Sequence, residues 1–205
     1  MRPVASYPGH LAVEEAAVRV IAGAARGRRL TAPRGRGTRP TSDRVKEALF
    51  SSVQPRLPGA AVADLYAGSG ALGIESLSRG ARLAVFVERA AGAHRALVEN
   101  LERTGLGQDA VVLHADVRAA LRDRLPGTAF DLVLIDPPYD TDRMELADVL
   151  AHLPTVLAPD GLVVLEASHH APAPPWPTDL RPTRTRRYGD TVLHEAVAEG
   201  HLVGQ

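Results

Sequence analysis

The chain has no cysteine, which excludes disulfides, zinc–thiolate sites and a cysteine nucleophile, and fits an intracellular, cytoplasmic protein. No stretch approaches the roughly 18 consecutive apolar residues of a membrane span, so no membrane association is expected. Residues 1–17 hold one early arginine and two glutamates but no long apolar core. They read as a flexible leader and not as a signal peptide. No internal repeat or low-complexity block interrupts the sequence. The His169-His170 pair lacks a spaced third ligand and lies by a proline-rich loop, so a solvent-facing pair is expected and no metal.

Net charge is also lacking, since 24 basic residues balance 24 acidic ones. The balance hides a segregation. Between Arg19 and Lys46 nine basic residues stand against the single acid Asp43, a surplus of eight that the rest of the chain must cancel. A field concentrated in this way is the footprint of a nucleic-acid partner. Arg26, Arg28, Arg29, Arg34, Arg36, Arg39 and Arg44 are the candidate phosphate contacts, interleaved with glycine and proline as in a loop that follows a backbone.

The 18 glycines and 16 prolines fall between periodic apolar runs and punctuate a folded chain of 205 residues, enough for one domain with a small appendage. Residues 18–22 and 28–31 flank a glycine-rich connection and suggest a hairpin. Residues 33–40 are breaker-rich loop. Thr41, Ser42 and Asp43 offer caps for a helix carrying Val45, Ala48, Leu49 and Val53, which ends before Pro55. Apolar strands are then expected at 60–65, 82–88, 110–114, 130–135 and 162–166. Helices at 69–79, 91–104 and 117–124 alternate with them, and Leu146, Val149, Leu150 and Leu153 mark one more helical face. Such alternation indicates an α/β fold, a mostly parallel sheet covered on both faces. After a proline-rich loop at 171–177, residues 183–188 and 191–197 form a closing hairpin at the sheet edge, joined through Gly189-Asp190. The expected organisation is a leader at 1–17, a basic extension at 18–54 and a main domain at 55–200.

Chemistry gathers at the strand ends. Asp64-Leu-Tyr66-Ala-Gly68-Ser-Gly70 follows the first apolar strand and opens a helix. Gly68 and Gly70 let the backbone turn sharply and approach a ligand. Glu88 lies 18 residues beyond Gly70 at the end of the next strand, where an acid can accept from ribose hydroxyls. Asp64 has no obvious use near a pyrophosphate, but suits a ligand bearing an ammonium. Asp116 follows the third strand and can accept from an adenine amine. Three acids at three successive strand ends suit an adenosine joined to a charged amino acid.

This loop resembles the S-adenosylmethionine site of the Rossmann-like methyltransferases. The resemblance implies that Asp64, Gly68 and Gly70 hold the amino-acid half, that Glu88 accepts both ribose hydroxyls and that Asp116 lies near the adenine. Tyr66 stands where many members have glycine, although an aromatic residue is usual in the subfamily identified below. Asp136-Pro137-Pro138-Tyr139 follows the fourth strand, and the implied strand order sets it beside the loop. An exocyclic purine amine is a poor nucleophile because its lone pair is delocalised into the ring. Asp136 and the Pro137 carbonyl are the acceptors expected to hold its N–H bonds, and Tyr139 can stack on a base drawn out of its helix. No general base is needed, so His94 and His114 are expected to be surface or partly packed side chains.

The tetrad resembles that of enzymes methylating adenine N6, cytosine N4, guanine N2 or glutamine. Its aspartate is shared by DNA adenine and ribosomal RNA guanine enzymes, so Asp136 does not choose between them. The opening does. Arg19-Val-Ile-Ala-Gly23, Arg26-Gly-Arg-Arg-Leu30, Arg39-Pro-Thr-Ser-Asp-Arg44 and Val45-Lys-Glu-Ala-Leu-Phe50 resemble the bacterial 16S ribosomal RNA guanine N2-methyltransferases acting at guanine 966. The resemblance spans about 19–166. It implies the Rossmann-like class I methyltransferase fold, a mostly parallel seven-stranded sheet with helices on both faces and a small N-terminal β-hairpin extension. It also implies S-adenosylmethionine as cofactor, S-adenosylhomocysteine as product, and 16S rRNA in a partly assembled 30S subunit as partner of a monomeric enzyme. DNA adenine N6 methylation and a non-catalytic RNA-binding protein are the alternatives.

Overall fold

The computed structural model describes residues 18–32, 43–125 and 129–199. The leader, and Arg34, Arg36, Arg39 and the caps Thr41 and Ser42, lie outside the described residues. Among the described residues five α-helices and seven strands follow one another, alternating up to β5: α1 (Asp43–Val53), β1 (Ala61–Leu65), α2 (Ala71–Ser78), β2 (Leu83–Glu88), α3 (Ala91–Thr104), β3 (Ala110–His114), α4 (Val117–Asp123), β4 (Phe130–Ile135), α5 (Arg143–His152), β5 (Leu157–Ser168), β6 (Leu180–Tyr188) and β7 (Thr191–Ala198). One sheet holds all seven strands in the order β3-β2-β1-β4-β5-β7-β6. The first five run parallel, and β7 is antiparallel to both β5 and β6. This is the Rossmann-like class I methyltransferase architecture, with the expected hairpin at the edge.

Period-two alternation divides the strands between two cores. Val62, Phe86, Leu132, Leu134 and Val164 pack with Leu49 and Phe50 of α1, Ile74 of α2 and Leu97 of α3. Ala63, Leu65, Val87, Val133, Ile135 and Leu165 pack on the other face with Leu121 of α4 and Val149 and Leu150 of α5. Burial on both sides is why β1 is buried at every position and needs no polar face.

The expected N-terminal hairpin is minimal. A single antiparallel bridge joins Arg19 to Arg29, supported by hydrogen bonds from Val20 N to Arg28 O and from Leu30 N to Val18 O. Val20, Ala25 and Leu30 are buried in the same core as α1, α2 and α3. Two strands run longer than their apolar pattern. At β5 the register slips between the Phe130–Leu157 and Leu132–Leu162 pairs, and residues 158–161 bulge there. Gly161 is required, because a Cβ would lie 2.8 Å from the Ala158 and Phe130 carbonyl oxygens. At β6, Pro182 sits on the outermost strand beside a second irregularity, where a missing N–H costs least.

Candidate active site

The strand order reverses between β1 and β4, and the crevice at their carboxyl ends is where a doubly wound sheet holds a ligand. A cavity of about 350 Å³ opens there. Asp64, Tyr66 and Gly68 come to it from β1 and its loop, Glu88 from β2, and Asp136, Pro137 and Tyr139 from the end of β4. Parallel register explains the convergence, since Leu65 pairs with both Val87 and Ile135, and the residues beside them lie at one level.

The loop owes its shape to three residues in the left-handed region: Tyr66 at φ 62°, Gly68 at 57° and Gly70 at 79°. The glycines differ in purpose. A Cβ on Gly68 would meet no atom within 4 Å, so this cavity-lining glycine keeps space open. A Cβ on Gly70 would lie 2.2 Å from Leu97 Cδ1, so Gly70 permits α3 to pack behind the loop and does not itself line the cavity. Tyr66 adopts a conformation unfavourable to a bulky residue. Its hydroxyl is buried with no hydrogen-bond partner among the described residues, and burial pushes its pKa up to about 12.

Glu88 braces the loop, accepting from Gly68 N at 2.8 Å and Ala90 N at 2.6 Å. Asp64, 1% exposed, accepts from Gly73 N at 2.8 Å and so satisfies a donor in the first turn of α2. That N–H is therefore not presented to a ligand. Burial pushes the Asp64 carboxyl well above the usual carboxylate range, the Gly73 bond opposes this, and the nearby Asp136 and Glu88 carboxylates push it further up. A cationic ligand would relieve the crowding. Asp116 caps α4, accepting from Arg118 N and Ala119 N, and stands between the Arg89 and Arg118 guanidinium groups. Its neighbours Ala115 and Val117 line the cavity, and Asp116 does not. Tyr139 is 67% exposed, its ring at the rim.

Among the described basic residues, Arg26, Arg28, Arg29 and Arg44 are exposed, and Arg28 donates to the Arg103 carbonyl at 2.9 Å. Lys46 departs from the basic surface run to which its charge assigns it. It is 1% exposed, lines the cavity, donates to the Arg19 carbonyl and lies 3.9 Å from the Glu75 carboxylate. Its position among Val45, Leu49 and Phe50 was the available signal of burial. His114 is exposed and its ring lies 4.7 Å from that of His94, while His170 is exposed beside a half-buried His169. Among the described residues no group of His, Asp and Glu could hold a metal.

These residues fit the cofactor that the loop suggests. Gly68 leaves room for a ligand against the backbone, Glu88 offers a carboxylate at the second strand end, and the carboxylates around Asp64 favour a cation.

Comparison with known proteins agrees with this geometry. The family model described as Conserved hypothetical protein 95 matches residues 18–196. YlbH of Bacillus subtilis is 38% identical over 85% of this chain and 95% of its own length. Ribosomal RNA small subunit methyltransferase D of Escherichia coli K12 is 33% identical over 89% of this chain and 92% of its own. The solved structure of yhhF from Escherichia coli superposes with a TM-score of 0.77 at 32% identity, covering 90% of this chain and 99% of that one. The chain belongs to the ribosomal RNA small subunit methyltransferase D family of S-adenosylmethionine-dependent methyltransferases.

Proposed function

We propose that this enzyme methylates the exocyclic N2 amine of guanine 966 of 16S rRNA in a partly assembled small subunit, acting as a monomer in the cytoplasm. The observation that carries the reading is the meeting of Asp136-Pro137-Pro138-Tyr139 with Asp64 and Glu88 around one cavity, in a chain whose relatives include a small-subunit rRNA methyltransferase. In the proposed roles Asp64 and the Gly68 backbone hold the amino-acid half of S-adenosylmethionine, and Glu88 holds its ribose. Gly70 shapes the loop, Tyr66 walls it, and Asp116 positions α4 beside the adenine subsite. The cofactor supplies a methyl group on a positively charged sulfur.

Asp136 Oδ and the Pro137 carbonyl accept from the two N–H bonds of the amine, so its lone pair develops toward the methyl. Proline on both sides of that carbonyl fixes its direction. Tyr139 covers the face of the extracted base, a contact worth roughly 1–3 kcal/mol. Placement and preorganised acceptors account for the acceleration, and the methylated amine loses its extra proton to water. The basic extension contacts rRNA phosphates, which position the substrate without choosing its base. The test is a mass-spectrometric map of 16S rRNA from cells with and without the gene, followed by transfer to undermethylated small-subunit particles in vitro. Loss and restoration of N2-methylguanine at position 966 is expected, with no transfer to duplex DNA. Transfer to adenine N6 of DNA would overturn the proposal.

A further inference from the structure

The outermost strand, β6, carries a charge that neither the cofactor cavity nor the N-terminal extension accounts for. Its sequence, Leu-Arg-Pro-Thr-Arg-Thr-Arg-Arg-Tyr at 180–188, holds four arginines and no acid. Two of them are engaged. Arg181 lies 3.9 Å from the Glu199 carboxylate, and Arg187 Nε donates to the Gly189 carbonyl at 2.8 Å. The guanidinium groups of Arg184 and Arg186 make no hydrogen bond or ion pair among the described residues. Arg184 is exposed and Arg186 half-buried. Glu195 pairs with Arg184 in register, yet its carboxylate accepts from Ser52 Oγ of α1 at 3.5 Å.

Register fixes the face these two arginines share. Arg184 pairs with Glu195 and Arg186 with Leu193, and Leu193 packs in the core beneath α1. Alternation puts both arginines on that face, with Tyr188, two residues on, packed against the same core. Thr185 points the other way, to His194. The basic extension occupies the same face, where Arg28 bonds to the Arg103 carbonyl of α3. Since α3 packs on β2 and β3, the order of the sheet sets β4 and its Asp136 between the extension and β6.

Register also fixes their level. Ile135 pairs with Leu165, Leu165 with His194 and His194 with Thr185. One residue further on, Asp136 and Arg186 stand level, three strand spacings or about 14 Å apart. A few nucleotides of an unstacked strand cover that distance. Arg184 and Arg186 are about 6.8 Å apart along the strand, comparable to neighbouring phosphates of a nucleic acid.

We propose that Arg184 and Arg186 bind phosphates of the rRNA strand a few nucleotides from the target base, making the β6 edge a second docking surface across the active site from the basic extension. Each guanidinium can meet a phosphate with two parallel hydrogen bonds. Such contacts hold the strand in register and read no base. The assignment rests on the rRNA reading above.

The test titrates undermethylated small-subunit particles, and a 16S rRNA fragment spanning the target, with wild-type enzyme and with Arg184→Gln/Arg186→Gln. Glutamine keeps the edge polar and removes the charge. On both RNAs the slope of log affinity against log salt should become shallower by about 1.4–1.8, for two phosphate contacts. KM for particles should rise while kcat at saturation and S-adenosylmethionine affinity by calorimetry hold. Arg184→Gln alone, at an exposed side chain without bonds, should give about 0.7–0.9, and it decides the matter if the double variant melts lower. Unchanged slopes would overturn the proposal and leave the arginines as guards of a sheet edge. Weaker binding to particles with unchanged binding to the fragment would also overturn it, in favour of a ribosomal protein as the partner of β6. Either result leaves the N2 reaction standing. A wild-type enzyme without salt-dependent binding to rRNA would overturn the rRNA reading and this surface together.

Discussion

Gly68 and Gly70 both take a positive φ, two residues apart, yet alanine at each should fail for a different reason. Both substitutions force an L-residue into the left-handed region, at a cost of about 1–2 kcal/mol. The entropy a Gly→Ala change removes from the unfolded chain offsets only part of that, roughly 0.4–1 kcal/mol. At Gly70 the new Cβ also meets Leu97 Cδ1 at 2.2 Å and Ile74 Cδ1 at 3.2 Å. Overpacking of this kind costs about 1–3 kcal/mol more, since Leu97 is fully buried. Gly70→Ala should therefore melt below Gly68→Ala by about 2–12 °C, taking 2–4 °C per kcal/mol for a chain of this size. At Gly68 the methyl meets nothing, but it projects into cavity space and should weaken S-adenosylmethionine binding at least tenfold. Melting followed by circular dichroism, with cofactor titration by calorimetry, separates the two effects. If Gly68→Ala bound cofactor normally, or if Gly70→Ala melted no lower than Gly68→Ala, the division of labour between them would be refuted.

Asp136→Ala should keep S-adenosylmethionine affinity and lose methyl transfer by about two orders of magnitude or more, as loss of a preorganised polar group does elsewhere; near-normal turnover on small-subunit particles would remove Asp136 from its role. Asp64 carries a folded-state pKa raised by burial, so the native protein keeps a proton that the unfolded chain has released. Stability of the ligand-free protein should therefore fall as pH rises from the usual carboxylate range toward that raised value, and cofactor affinity should rise over the same window with release of a proton. Calorimetry in buffers of different ionisation enthalpy measures that release, and Asp64→Asn should abolish it; identical proton release by the variant would exclude Asp64 as its source. Replacing Arg26, Arg28, Arg34 and Arg36 together by alanine should make the slope of log affinity for rRNA against log salt shallower by roughly 3. An unchanged slope in a variant of normal melting temperature would move the docking surface elsewhere, first to Arg184, Arg186 and Arg187 on β6.

Much of the fold was legible because β1, β2 and β4 are short and buried at nearly every position, and because glycine, proline or a cap closes off the elements. The bounds of α3, β3 and β4 coincide with the pattern of 91–104, 110–114 and 130–135. The pattern stopped short at β5, where Ala-Pro-Asp-Gly at 158–161 carries every mark of a turn. There the backbone bulges between two stretches that pair with β4, and Asp160 takes φ 60°. At the cavity, Glu88 and Asp136 were legible from spacing, because parallel register carries them to one level beside Tyr66. Burial was not legible from charge. Lys46 counts as one more cation in a basic run, although its helix face turns it inward toward Glu75.

The basic extension illustrates the same point at a larger scale. Its charge alone is compatible with an unattached arm, but its backbone is held by the helices around the cofactor loop. Glu75 of α2 is wholly buried and accepts from Ile21 N at 2.7 Å and Ala22 N at 3.0 Å, with Arg79 Nε at 2.7 Å completing its shell. Asn100 of α3 exchanges hydrogen bonds with Thr31 and also donates to the carbonyl of Ser69, inside the glycine loop itself. Gly23 approaches α2 so closely that a Cβ there would lie 1.7 Å from the Ser78 carbonyl oxygen. Removing the extension would uncover the Glu75 carboxylate and take away two of its backbone donors, and would strip Val20, Leu30, Leu49 and Phe50 from a core shared with the sheet. Fully buried side chains of this size contribute roughly 1.5–3 kcal/mol each, so their loss is a large share of the total stability of a domain. The division near residue 54 is therefore no boundary between folding units, and the change of role proposed for it, from contact with RNA to chemistry, falls within one core. Because Asn100 links Thr31 to Ser69, the segment that bears the arginines and the loop that faces the cofactor cavity are held in fixed relation.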